Sequence, residues 1–338
     1  MELRTLGRSG LKVSVLGFGC GAVGGLMTRG GANEQERAIA RALELGITYF
    51  DTAADYGRGE SEKNLGRILR TLKPKNAVVG TKFRIPDTER ANIAACITAA
   101  LEASLDRLGQ DSVDLFQLHN PITADGRAPS LAPASVLDEV IPALQSLQRA
   151  GKTRHIGITG IGDASALRMV IDSGLLTSAQ VPYNLLNPSA DAPLPAGFPA
   201  HDFGQVMRHA QRASTGIIGI RVLAAGALSG TMDRHPISMP NVEPIASGPT
   251  YEADVAAAQR FRPLVAEGHA GSLVEAAIRY AIASPAMSTV LVGMSTIAQF
   301  ETAAQAALKG PLPPAALARI AELQRAMAGD AHTAKAPA

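Results

Sequence analysis

Apolar residues gather into short runs rich in β-branched side chains, and these runs alternate with longer stretches whose apolar positions recur at helical spacing. Eight such runs occur: VSVLGFG (13–19), ITYF (47–50), AVVGTK (77–82), VDLFQLH (113–119), RHIGITG (154–160), AQVPYN (179–184), GIIGIRVL (216–223) and STVLVGM (288–294). Between them lie stretches such as NEQERAIARALELG and ERANIAACITAALEASLDRLG, several ending at a glycine suited to a helix C-cap. The runs show little polar alternation, as expected of parallel strands covered on both faces. Eight strands alternating with helices predict an α/β fold, a single (β/α)8 TIM barrel over residues 1–330. The opening LRTLGRSGLKVS reads as a hairpin around Ser9 and Gly10, placed to plug the bottom of the barrel. Three long Pro- and Gly-rich loops follow strands, at 120–133, 184–199 and 229–249, and residues 331–338 read as a disordered tail.

Composition narrows the partners. The net charge of +2 comes with no run of Lys or Arg, so the chain lacks the footprint of a nucleic-acid binder. No uninterrupted apolar span of membrane length occurs, and the N-terminus lacks the pattern of a signal peptide, so a cytoplasmic protein is expected. Two isolated cysteines, Cys20 and Cys96, suit neither a disulfide framework nor a metal cluster, and no metal site is expected.

Gly19, Gly21 and Gly24 match G-x-G-x-x-G after a strand, which raises a Rossmann dinucleotide fold. The next helix, however, begins only near Asn33 after two further glycines, and Asp51 lies 27 residues past Gly24, beyond the usual spacing to the acidic residue. No Tyr-x-x-x-Lys pair is present. The barrel is the better reading.

In such a barrel the C-terminal strand ends converge on one mouth. Asp51 ends the second run, Tyr56 lies in the loop after it, Lys82 ends the third and His119 the fourth. Singly, each has a structural explanation: a turn or cap, a loop aromatic, a surface lysine, a core histidine. Together they form a proton-transfer site. Lys82 favours the phenolate of Tyr56, Asp51 keeps Lys82 charged and aimed, and His119 orients a substrate carbonyl beside the phenol. A polarised carbonyl with a proton donor and no protein nucleophile requires hydride from a nicotinamide cofactor.

The segments GITYFDTAADYGRGESEKNLGRIL, VVGTKF, VDLFQLHNP, GKTRHIGIT and QVPYNLL, in this order, resemble the aldo-keto reductase family over nearly the whole chain. The resemblance implies a catalytic tetrad of Asp51, Tyr56, Lys82 and His119. It also implies NADP or NAD bound along the strand ends: Gly19, Cys20 and Gly21 beside the nicotinamide ribose, Asp51 near it, and Thr159 and Gln180 at the carboxamide. Arg221 and Leu223 would lie at the pyrophosphate, and Gly293, Ser295, Thr296 and Gln299 at the adenosine end. Several positions depart from the family pattern. Gly160 replaces a usual Asn, Ile220 stands where an aromatic commonly stacks, and Ser295 stands where many relatives carry the Arg or Lys that meets the 2′-phosphate. Weak discrimination between NAD and NADP is therefore expected. GITG after the fifth run and VGMS after the eighth resemble the branch with aldose and galactose dehydrogenases. The expected partner is a small carbonyl or sugar substrate; oligomeric state, reaction direction and the identity of that substrate stay open. A non-catalytic nucleotide-binding regulatory subunit of the same fold is the alternative.

Overall fold

The structure, a computed structural model, describes residues 1–333. Its first two strands, β1 (Leu3–Thr5) and β2 (Lys12–Ser14), form an antiparallel hairpin closed by a turn over Gly7–Ser9. Eight parallel strands then close a barrel: β3 (Leu16–Gly19), β4 (Tyr49–Asp51), β5 (Val78–Phe83), β6 (Val113–Leu118), β7 (Thr153–Thr159), β8 (Ser178–Pro182), β9 (Gly216–Ile220) and β10 (Met287–Gly293), with β10 pairing back onto β3. All eight predicted barrel strands are present. The first run divides at Val15, Val13 and Ser14 joining the hairpin strand and Leu16 to Gly19 the barrel.

Two apolar clusters explain the closure. Outside the barrel, Phe18, Phe50, Leu65, Phe116 and Phe300 are buried between strands and surrounding helices, and the Phe18 and Phe300 rings lie 5.2 Å apart. Inside its lower half, Leu6 and Val13 of the hairpin pack with Tyr49, Leu115, Ile218 and Leu291. Arg4 Nη1 donates to the Met287 carbonyl at 2.9 Å, and Ser288 Oγ to the Thr5 carbonyl at 3.1 Å. The hairpin thus seals the N-terminal end of the barrel, as its sequence predicts.

Strand parity divides each buried strand between the two clusters. In β4, Phe50 faces the helices while Tyr49 and Asp51 face the barrel axis. The apolar character of the runs conceals this difference, because the inward residues of the upper half are polar: Asp51, Lys82, Gln117, Thr159 and Gln180 are all buried.

Local departures from expectation lie near the mouth. The glycine-rich stretch after β3 holds a short helix, Leu26–Arg29, before the expected helix at Ala32–Glu44. Gly25 adopts φ 90°, and a Cβ there would stand 2.0 Å from the Ile237 carbonyl, so the 229–249 loop rests directly on this turn. Arg29 Nε donates to the same carbonyl at 2.7 Å, and the Met239 amide donates to the Val23 carbonyl at 2.9 Å. Residues 331–333, expected in a disordered tail, belong instead to the last helix, Pro314–Thr333; the remainder of that expectation, residues 334–338, lies outside the described residues. No helix among the described residues is long and apolar enough to cross a membrane, and no group of His, Cys, Asp or Glu among them is arranged to hold a metal ion.

Candidate active site

β4 ends at Asp51 and, across the pairing of Asp51 with Gly80, β5 carries Lys82 one side-chain step higher on the same inner face. Lys82 is wholly buried. Its ammonium donates to Asp51 Oδ2 at 2.5 Å, to the Thr52 carbonyl at 2.7 Å and to the Tyr56 hydroxyl at 3.2 Å. Three donors and three acceptors match, which is what permits a charged lysine to exist in the barrel core. Burial works to lower its pKa, but the carboxylate of Asp51 and then Tyr56 outweigh that, and the Lys82 pKa is raised.

Tyr56 comes from the turn after β4. Its ring stands edge-on to the His119 imidazole, centroids 5.8 Å apart, and 3.8 Å from where a Cβ on Gly21 would lie. A methyl group at 21 would rest in ordinary contact with that edge of the phenol. The expected lowering of the Tyr56 pKa is not met: burial raises it, Lys82 opposes, Asp51 adds to the rise, and the net direction is upward. The phenol is thus held protonated in the neutral range, with Lys82 limiting how far it is driven from that range.

His119 follows β6, its amide donating to the Phe83 carbonyl at 2.8 Å. Its Nδ1 lies 3.4 Å from Asp55 Oδ1 without a well-aligned hydrogen bond. Burial lowers the His119 pKa, Asp55 works against that, and the result is a ring favouring the neutral form. Asp55 in turn receives Arg84 Nε at 3.0 Å. Burial opposes its charge, but His119 and Arg84 prevail and keep it ionised. Asp55 and Arg84 give this side of the mouth a charged rim that the sequence did not single out.

The residues expected around the nucleotide divide into two groups. Gly19 and Gly293 end neighbouring strands, and Cys20 is buried beyond Gly19, its thiol pushed up by burial and then by Asp51. Thr159 ends β7, buried, with its hydroxyl unpartnered. Arg221 and Leu223 follow β9, Arg221 at φ 56° with its guanidinium donating to the Glu243 carbonyl at 3.2 Å. These groups surround the mouth. Gln180 and Ser295 are already engaged within the protein. Gln180 Nε2 donates to Asp51 Oδ1 at 2.6 Å. The Ser295 hydroxyl turns inward and donates to the Gly24 carbonyl at 2.6 Å, while its amide donates to Gln299 Oε1 at 2.8 Å. Thr296 caps the helix Ile297–Leu308, accepting from the Gln299 amide. The side chains of Ser295, Thr296 and Gln299, the three expected at the adenosine end, thus each already bond a backbone group.

Tyr49 escaped the sequence reading. It stands two residues before Asp51 on the same face, and its hydroxyl donates to Asp51 Oδ1 at 2.9 Å. The signal was available in the period of two, but Tyr49 sits inside an apolar run and reads as core.

A buried ammonium shared by a carboxylate and a phenol, with an imidazole beside the phenol, can deliver a proton to a carbonyl oxygen and take one from an alcohol. The model of the Aldo/keto reductase family matches residues 15–325. L-galactose dehydrogenase of Arabidopsis thaliana is 29% identical over 305 residues, covering 89% of this chain and 86% of that protein. D-threo-aldose 1-dehydrogenase of a Pseudomonas species is 30% identical over 335 residues, covering 90% and 92%. Among solved structures, the holo form of an aldo-keto reductase from Bacillus halodurans superposes with a TM-score of 0.72 at 26% identity, covering 96% of each chain.

Proposed function

The chain belongs to the aldo/keto reductase family and is an NAD(P)-dependent oxidoreductase, and from that premise we propose that it works on the carbonyl or lactol carbon of an aldose, with Tyr56 as the acid–base group. The observation carrying this reading is the buried chain Asp51, Lys82, Tyr56, with contacts of 2.5 and 3.2 Å.

Fit to the cofactor rests on the same mouth. The Thr159 hydroxyl is buried and unpartnered, an arrangement that costs about 1–3 kcal/mol unless a ligand group completes it. Thr159 would hold the carboxamide, and Gly19, Cys20 and Gly21 the adjoining ribose. A bound nicotinamide supplies or accepts the hydride. In reduction, Tyr56 passes its proton to the carbonyl oxygen: burial keeps the phenol protonated, and the Lys82 ammonium works against the rise that weakens it as an acid. In oxidation, Tyr56 acts as the phenolate, stabilised by Lys82, and becomes the phenol as it takes the proton from the hydroxyl. His119, neutral at its edge, orients the reacting oxygen. Asp51 keeps Lys82 charged.

Support for a sugar comes from the names of the two relatives and from the polar rim of Asp55 and Arg84. On the nucleotide, Ser295 brings no cation. The loop arginine Arg234 is already committed, donating to the Met239 and Ala225 carbonyls, each at 2.9 Å. NAD is therefore usable alongside NADP. A purely regulatory binding role gives no reason to bury Lys82 against Tyr56. The test is nicotinamide absorbance at steady state with a panel of aldoses and aliphatic aldehydes, each with NAD and NADP. Aldose turnover supports the proposal; activity confined to apolar aldehydes refutes the sugar assignment, and no turnover on either class refutes catalysis.

A further inference from the structure

Asp51 is held from below as well as from above. Oδ2 faces Lys82, while Oδ1 accepts from the Tyr49 hydroxyl at 2.9 Å and from Gln180 at 2.6 Å. Tyr49 has no exposure, and the barrel makes specific room for it: a Cβ on Gly80 would lie 2.6 Å from the Tyr49 hydroxyl, and one on Gly17 would lie 3.0 Å from its ring. Glycines on both neighbouring strands therefore leave the space that the ring occupies. A phenol is costly to bury without a partner, and Asp51 is the acceptor to which this hydroxyl donates.

We propose that Tyr49 is a positioning residue for the proton-transfer site, acting through Asp51. Its hydrogen bond has two effects. It fixes the plane of the carboxylate, so that Oδ2 meets Lys82 rather than rotating toward the barrel axis. It also withdraws part of the negative charge that Lys82 and Tyr56 would otherwise feel. Asp51 raises the Tyr56 pKa, so an Asp51 deprived of its donor raises it further. Burial and then Asp51 hold Tyr49 itself well above the usual phenol range, so it stays a donor throughout the working range of Tyr56. Besides Asp51, the polar groups facing Tyr49 are the amides of Gln180 and Gln117, neither of which titrates. The inference rests on the functional reading above, since a positioning role requires a reaction to position.

The experiment is a pH profile of chemistry-limited turnover in the oxidation direction for the parent, Tyr49→Phe and Gly80→Ala. Tyr49→Phe keeps the ring and removes only the donor. Gly80→Ala keeps the phenol and pushes its hydroxyl off Asp51, so the two variants reach the same loss by different routes. For both, the rising limb of the profile is expected to move to higher pH by about half a unit or more, with kcat at neutral pH falling roughly three- to thirtyfold and cofactor Kd within about twofold of the parent; half a unit corresponds to a threefold change in phenolate fraction. A Tyr49→Phe profile superimposable on the parent, or a loss of kcat with no displacement of the limb, overturns the inference and leaves the functional reading standing. Should Tyr49→Phe fail to fold, the Gly80→Ala profile decides by the same criteria. A parent without nicotinamide-linked turnover overturns both.

Discussion

Lys82 is the residue on which the site's electrostatics turn, because it is the one group bonded to both Asp51 and Tyr56. Lys82→Met keeps most of the volume and removes the charge. Without the ammonium the Tyr56 pKa climbs, so oxidation at neutral pH is expected to slow by about 10²–10⁴-fold, the usual range for acid–base contributions. The defect should shrink as pH rises, because the parent's advantage is a larger phenolate fraction and this saturates. A defect constant across pH would separate Lys82 from the phenol. Loss of stability accompanies it, on the order of 3–5 kcal/mol, since Asp51 is left buried without its counter-ion. His119→Ala acts elsewhere. It is expected to lower kcat for the carbonyl step while cofactor Kd, measured by fluorescence titration, stays within about twofold; a tenfold weaker cofactor would move His119 into the nucleotide site. These four residues were legible in sequence because each sits at or just past the C-terminal end of a strand, where a polar side chain interrupts an apolar run. Tyr49 and Asp55 were not. The first is hidden by strand parity within such a run, and the role of the second depends on Arg84 and His119 arriving from other strands. The inward turn of the Ser295 hydroxyl was equally hidden, because its acceptor, the Gly24 carbonyl, belongs to a loop 271 positions away.

At the level of elements, the eight strands could be read because each is a short apolar run bounded by turn residues. What could not be read is how closely neighbouring elements approach. The helix Glu60–Leu72 carries Gly66 in its interior, where glycine ordinarily costs about 0.5–1 kcal/mol relative to alanine. Here an added Cβ would lie 2.2 Å from the Leu108 carbonyl at the end of the helix Ile93–Leu108. Gly66→Ala is therefore expected to destabilise by about 1–3 kcal/mol, the usual cost of overpacking, instead of stabilising as helix propensity alone predicts. A urea titration measures it, and a midpoint at or above the parent's would mean that the two helices separate without cost. The short helix Leu26–Arg29 teaches the same lesson. Its surrounding glycines argue against helix locally, yet Arg29 anchors it to the 229–249 loop through the Ile237 carbonyl.

For the whole molecule, the hairpin closes the N-terminal end of the barrel and leaves its C-terminal end as the working face. Cofactor binding to that face should stabilise the fold by mass action, about 2.7 kcal/mol at a ligand concentration of 100 times Kd. NAD and NADP, compared at equal concentration, are both expected to raise Tm. A shift with NADP alone would mean that a cation outside the Ser295 position recognises the 2′-phosphate. The proposal that Tyr56 moves the proton is tested most directly by single-turnover hydride transfer in Tyr56→Phe, which deletes one hydroxyl and leaves the ring against Gly21 and His119. The expected result is a rate about 10²–10⁴-fold below the parent with cofactor Kd unchanged; a variant retaining more than about a tenth of the parent rate would contradict it, since a group that transfers the proton cannot be removed at so small a loss.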